Sequence, residues 1–427
     1  MDDAVTRGVR ARRWAPATAA ATPSDVRVMS YNLLADSHVW KHRAELYRGT
    51  RDDLLAWAPR LRGIAREVKL LRPDVLGVQE CEDFDGVSRA LASDGYEGLH
   101  APRSGEKLDG SSVFYDSTKF ECVGFEAIDF STSGLMHNAA AIARLRPIRG
   151  DGPPIVVGCV HLLFNPQRGD KKLGQLRVFI DRVEANRAAM AETSDRTPRA
   201  MLLGDFNAEP GSDLYRFVSR GVLDVTRVNR REMSGVLDAG ARAYDDVGMD
   251  VDDDEADDDE TRAWARWEEE EAAGVRGGGG GASENAAVRM SDNYWDMEGL
   301  RLALGDAAGA ARGADASTTA LSSTTAKRHD ARQVRDMMTA LEGNRGRVAH
   351  SMRGKLVSAY ASVNGGTEPR ATSCHGKFTG TVDYVFLGDG VHARRVLMPP
   401  SAPTRGIPNE EYPSDHFSVV ADVFFDE

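Results

Sequence analysis

Four cysteines in 427 residues, Cys81, Cys122, Cys159 and Cys374, are too few and too scattered for a disulfide framework, and no CxxC pair offers a zinc site. Long apolar runs are missing too: none approaches the ~18 residues that a membrane-spanning helix needs, so no membrane partner is expected. A reducing, cytoplasmic location is the expectation, with nucleus and organelle left open. Positive charge is also in short supply, with a formal net charge of −12 that looks wrong for a nucleic-acid partner. The deficit is local. Between Asp245 and Glu271 fifteen acids face only Arg262 and Arg266, which leaves the rest of the chain close to neutral.

What is present is enough for a sizeable core: 41% of residues are hydrophobic. The first 24 residues, rich in Ala, Thr and Arg, read as a disordered tail. Residues 240–349 read as a low-complexity insert, acidic at first, then Gly-rich from Gly277, with one short amphipathic helix expected from Ser291. Residues 25–239 and 350–427 then form the two parts of one α/β domain. Leu54, Trp57, Leu61, Ile64, Val68 and Leu71 recur at spacings of three and four, which predicts a helix with one buried stripe ended by Pro73. Leu173, Leu176, Ile180 and Val183 predict another.

The stretch Met201 to Pro210, MLLGDFNAEP, reads as a short buried strand that Gly204 breaks just before Asp205, Phe206 and Asn207. The plain reading is an Asx-type turn after a strand. Other strand-like runs also end in polar groups: Val26 to Tyr31 leads to Asn32, Val75 to Val78 to Gln79 and Glu80, and Ile155 to Val160 to His161. Asp383 sits within a strand-like run, and Asp415 with His416 opens another. Half a dozen such ends point to convergence on one cleft. Cys81, beside Glu80, reads as a small core hydrophobe.

Six ordered segments carry a resemblance: SYNLLAD from Ser30, QE at Gln79, VHLLFNPQRGDKKLGQ from Val160, GDFN from Gly204, GTVDYVFL from Gly380 and PSDHFSVVADV from Pro413. Together they resemble the endonuclease/exonuclease/phosphatase superfamily, and within it the carbon-catabolite-repressor branch of deadenylases that includes nocturnin and the Angel proteins. HLLFNPQRGDKKLGQ and TSCHGKFTGTVDY are most similar to Angel and the plant repressor homologues. The resemblance covers about 290 residues. It implies a four-layer α/β sandwich, two packed mixed β-sheets flanked by helices.

It also implies roles. Glu80 would hold the metal with Asn32 in support and Asp415 as a further contact; the ion would be Mg²⁺, with Mn²⁺ as a substitute. Asp205 would orient or deprotonate the attacking water, Asn207 would hold the phosphate and the Asp205 carboxylate, Asp383 would orient His416, and His161 would stabilise the transition state. The choice of base among Asp205, Asp383 and His416 stays open. Pro166 and Phe378 match the positions that sandwich a terminal adenine, with Arg168, Lys171 and Lys172 near enough to reach backbone phosphates.

The implied partner is single-stranded RNA at poly(A) 3′ ends, and the implied activity a Mg²⁺-dependent 3′–5′ exoribonuclease. Phosphatase action on RNA 2′,3′-cyclic phosphates is the alternative, and a catalytically idle RNA-binding scaffold is an alternative of another class. Abasic-site DNA repair and phosphoinositide hydrolysis fit the Pro166 and Phe378 pair less well. Leucine-rich repeats are absent, which does not support membership of the multi-subunit deadenylase complex; a monomer is expected.

Overall fold

The computed structural model describes residues 3–16, 20–22, 24–225, 228–236, 347–400 and 406–426. Its centre is a pair of mixed sheets. The first has seven strands in the order Trp14–Ala15, Val391–Leu397, Val419–Phe425, Val26–Asn32, Val75–Gln79, Gly110–Asp116 and Tyr96–Pro102. The second has six, ordered Val357–Ser358, Asp383–Leu387, Arg199–Asp205, Ile155–His161, Ala139–Pro147 and Phe120–Asp129. Each sheet holds one parallel pair amid antiparallel neighbours: Val26–Asn32 beside Val75–Gln79, and Ile155–His161 beside Arg199–Asp205.

Alternation along these strands sorts residues into two faces. Val28, Val75, Val157, Cys159, Met201, Leu203 and Val385 fill the space between the sheets. Met29, Leu76 and Val78 face away from that space and pack against Ile64, Val68 and Leu71 of helix Trp57–Leu71 and Val87 and Leu91 of helix Phe84–Ala92. Val156, Val160 and Leu202 do the same against Leu176, Phe179 and Val183 of helix Gly169–Ala191 and Phe217 of helix Asp213–Arg220. Three apolar interfaces between four layers make the expected sandwich. Among the described residues no helix is long and apolar enough to cross a membrane.

Gly204 does not break its strand. It pairs with Val160 on one side and Tyr384 on the other, and the strand continues through Asp205. A glycine is needed because φ is +155° and a β-carbon would lie 2.1 Å from the Val160 carbonyl oxygen. Leu54 likewise lies outside the predicted helix: it belongs to the short helix Asp52–Leu55, and the extended backbone of Ala56 (φ −58°, ψ 139°) separates it from Trp57–Leu71.

The expected disordered tail is a correction. Residues Ala4–Ala11 form a helix and Trp14–Ala15 pair with Val396 and Leu397. Arg12 is buried, donating to the Glu67 carboxylate, to Ser418 Oγ at 2.8 Å and to the carbonyls of Leu397, Met398 and Ser418. Composition counts such an arginine as solvated, whereas its donors here satisfy a buried carboxylate, a serine hydroxyl and backbone oxygens. The insert is also shorter at its far end than expected, since Arg347–Ala349 pair with Val222–Asp224. The rest of it, with the helix expected from Ser291, lies outside the described residues.

Candidate active site

Each inner stripe ends in a polar residue at one mouth of the sandwich. Val28 and Ser30 lead to Asn32; Val157 and Cys159 lead to His161; Met201 and Leu203 lead to Asp205; Leu387 and Val385 lead back to Asp383. Register makes this a row: His161 lies opposite Asp205, and Asp383 opposite Asp205 on its other side. The same period that buries valines thus delivers an imidazole and two carboxylates side by side, all at least nine-tenths buried.

The turn after the central strand is the Asx-type turn that the plain reading anticipates: Asn207 N donates to Asp205 Oδ1 at 2.9 Å. The turn and the carboxylate's placement are one structure. Asn207 therefore holds Asp205 through its backbone, while its side-chain amide donates to the Leu162 carbonyl at 2.9 Å. Asn32 Nδ2 reaches both Asp205 Oδ2 at 3.1 Å and Glu80 Oε1 at 2.9 Å, tying the two sheets' acids together.

Glu80 follows its strand in a left-handed conformation, φ 54°, which turns its side chain into the mouth. Its Oε2 accepts from Ala35 N at 2.8 Å and lies 2.9 Å from His38 Nδ1. Burial alone would raise this carboxyl, but His38, His161 and the Asn32 amide hold it well below the usual carboxylate range. His38 is a site residue that sequence reasoning missed, as is Tyr47, whose hydroxyl donates to Asp415 Oδ2 at 2.7 Å. His38 lies on the short helix Asp36–Lys41 and Tyr47 just after the short helix Arg43–Leu46, where no periodicity marks the inward face.

Asp383 Oδ2 sits 2.8 Å from His416 Nδ1, and His416 Nε2 is 3.8 Å from Asp205 Oδ2 and 4.0 Å from Asp415 Oδ1. Burial disfavours the imidazolium, yet Asp383, Asp415 and Asp205 raise His416 well above the ordinary value. Asp205 is pushed up, by burial first and by the facing Asp383 second, against the opposing His161 and His416. A cation facing a carboxyl poised to take a proton is the arrangement acid–base chemistry needs.

Ligand atoms of Asp205, Asp383 and His416 lie within 4.8 Å of one another, a spacing that could hold a metal ion. The Asp383–His416 hydrogen bond already uses one of these pairs, so the buried oxygens at this mouth that lack a hydrogen-bond partner matter more. Those are Asp383 Oδ1 and Asp415 Oδ1. Acceptors left bare in a buried pocket call for a cation or a donor. Carboxylate oxygens are hard donors of the kind that suits a divalent cation.

Pro166 is half-buried on the loop that follows His161, and Phe378 is half-buried on the hairpin formed by Ser373–His375 and Phe378–Gly380. That hairpin is bound to the site through the bridge between Ser373 and His416. The cations expected to reach phosphates already have partners within the protein. Lys172 is wholly buried and its Nζ donates to the carbonyls of Asn207 at 2.9 Å and Phe164 at 3.1 Å. Lys171, 5% exposed, donates to the Gly134 carbonyl, and Arg168 is engaged with Asp170. Cys81 is buried as expected, its thiol pushed up to about 12 by burial.

Residues 29–269 match the model of the Endonuclease/Exonuclease/phosphatase family. The chain is 28% identical over 411 residues to Carbon catabolite repressor protein 4 homolog 3 of Arabidopsis thaliana, covering 93% of this chain and 75% of that one. It is 33% identical over 220 residues to protein angel homolog 2 of Homo sapiens, covering 49% and 40% of the two. The solved structure of ANGEL2, described as a 2′,3′-cyclic phosphatase, is similar in fold, with a TM-score of 0.65 at 24% identity over 96% of this chain and 97% of that chain. The family match spans more than half of the residues and falls on strands that carry Asn32, Glu80, His161 and Asp205 to a single mouth, and this chain belongs to the endonuclease/exonuclease/phosphatase family.

Proposed function

We propose that the protein is a Mg²⁺-dependent phosphodiester hydrolase acting at RNA 3′ ends, most simply a 3′–5′ exoribonuclease with a preference for poly(A). The observation that carries the reaction class is the row His161, Asp205 and Asp383 with His416 behind it. Glu80, Asp415 and Asp383 would hold the ion, which when bound supplies Lewis-acid stabilisation of phosphoryl charge. The chain's own groups do the rest. Asp205, its carboxyl pushed up and its Oδ1 fixed by Asn207 N, takes the proton of the attacking water. The water oxygen forms the new bond to phosphorus as the bond to the leaving ribose oxygen breaks. His416, kept an imidazolium by Asp383, faces the charge that develops on the phosphoryl oxygens, with His161 beside it. Pro166 and Phe378 would stack the terminal base, which the resemblance to deadenylases supports.

A second reading, removal of a 2′,3′-cyclic phosphate from an RNA end, is favoured by the 33% identity to protein angel homolog 2. The same groups serve both. The test incubates protein and Mg²⁺ with two end-labelled RNAs, one ending in oligo(A) with a 3′-hydroxyl and one in a 2′,3′-cyclic phosphate, against a Glu80→Gln control. A Glu80-dependent ladder from the first supports the exoribonuclease. Loss of the cyclic phosphate without shortening replaces it with the second reading.

A further inference from the structure

Glu209 lies two residues beyond Asn207, on the turn that leaves the central strand. Its backbone is pinned, N donating to the Ser234 carbonyl at 2.7 Å and O accepting from Ser212 N at 3.2 Å, while Ser234 Oγ donates to the Pro166 carbonyl at 3.5 Å. Its side chain reaches across to the hairpin. A β-carbon at Gly380 would lie 2.7 Å from Glu209 Oε1 and 2.5 Å from Phe378 Cζ, so carboxylate and ring edge press against the same bare backbone. Gly380 is what lets them meet.

The carboxylate has no hydrogen-bond or ion-pair partner among the described residues. Burial raises the Glu209 carboxyl, with no neighbouring charge acting against that shift. A partly desolvated acceptor with no protein donor is well placed to take one from a ligand. This acceptor stands at the rim of a half-exposed aromatic ring, where the edge of a stacked base would fall.

We propose that Glu209 selects the 3′-terminal base, its carboxylate accepting the exocyclic amine of an adenine stacked on Phe378. The inference rests on the reading of Phe378 as the platform for that base. An ionised carboxylate is acceptor-only, so it pairs with the amine of adenine and opposes the carbonyl that hypoxanthine or uracil presents at the corresponding position. Stacking alone would tolerate any base. Glu209 adds the discrimination.

The test uses RNAs identical except for a terminal adenosine or inosine, each prepared with a 3′-hydroxyl and with a 2′,3′-cyclic phosphate, so that the ratio can be read whichever end is hydrolysed. Inosine keeps the stacking surface and replaces the amine with a carbonyl. The wild-type protein should favour adenosine in kcat/KM by about 10- to 100-fold. Glu209→Gln, whose amide can donate to the carbonyl, and Glu209→Ala should both bring the ratio close to one, with melting temperatures near wild type because no side-chain bond is lost. A wild-type ratio near one, or a preference retained in both variants, overturns the inference while leaving the hydrolase reading intact. Absence of Glu80-dependent turnover on either end overturns both.

Discussion

Asp383 holds His416 in an ion-paired hydrogen bond of 2.8 Å at the buried mouth between two sheets, although the two residues come from different strands and loops of the C-terminal part. Its consequence is a pH signature. His416 is raised well above its ordinary value, so the stability it lends is fully present below about pH 6.5, its unfolded value, and is lost as pH rises through the folded one. The gap in melting temperature between wild type and Asp383→Asn should therefore be widest near pH 6 and narrow toward pH 9. A gap that widens with pH would contradict the charged dyad.

The same substitution should lower turnover by about 100- to 1,000-fold, the worth of a group that stabilises transition-state charge. Asp205→Asn should do likewise, and combining the two should cost far less than the product of the single losses, because both act through one constellation. Steady-state kinetics of the two single variants and the double variant decide this.

Most of this site was legible because it continues a pattern. Val157, Cys159 and His161, or Met201, Leu203 and Asp205, alternate as strands do, and the polar member falls where the stripe meets solvent. Lys172 was legible too and was misread: it stands four, seven and eleven residues before Leu176, Phe179 and Val183, on the buried stripe of its helix. Its charge suggested a surface that its spacing denies. His38 and Arg12 carried no such signal. Their partners, Glu80 and Ser418, lie 42 and 406 residues away, and nothing local encodes a contact of that span.

Lys172→Met should strip one buried and one partly buried carbonyl of their donor and lower stability by about 1–3 kcal/mol, seen as a fall in melting temperature. Arg168→Ala and Lys171→Ala should leave the salt dependence of RNA binding unchanged. A slope reduced by about one in either variant would restore the phosphate-contact reading.

Phe378→Ala should weaken binding of an oligo(A) end by about 5- to 100-fold, the worth of one stacked base, while slowing hydrolysis of a small generic phosphodiester far less. Competition between the two substrates measures both effects in one assay. Equal losses on both would remove the base platform.

The central claim is that Glu80 and its neighbours form a cation-dependent site for hydrolysis at RNA 3′ ends. Its most direct test is a magnesium titration of single-turnover cleavage of a 5′-labelled RNA ending in oligo(A), comparing wild type with Glu80→Gln. The predicted result is stepwise shortening from the 3′ end that saturates with Mg²⁺ in the wild type, stops on chelation and falls by about 100-fold or more in the variant. Shortening that persists without a divalent ion, or that is unchanged in Glu80→Gln, would contradict it.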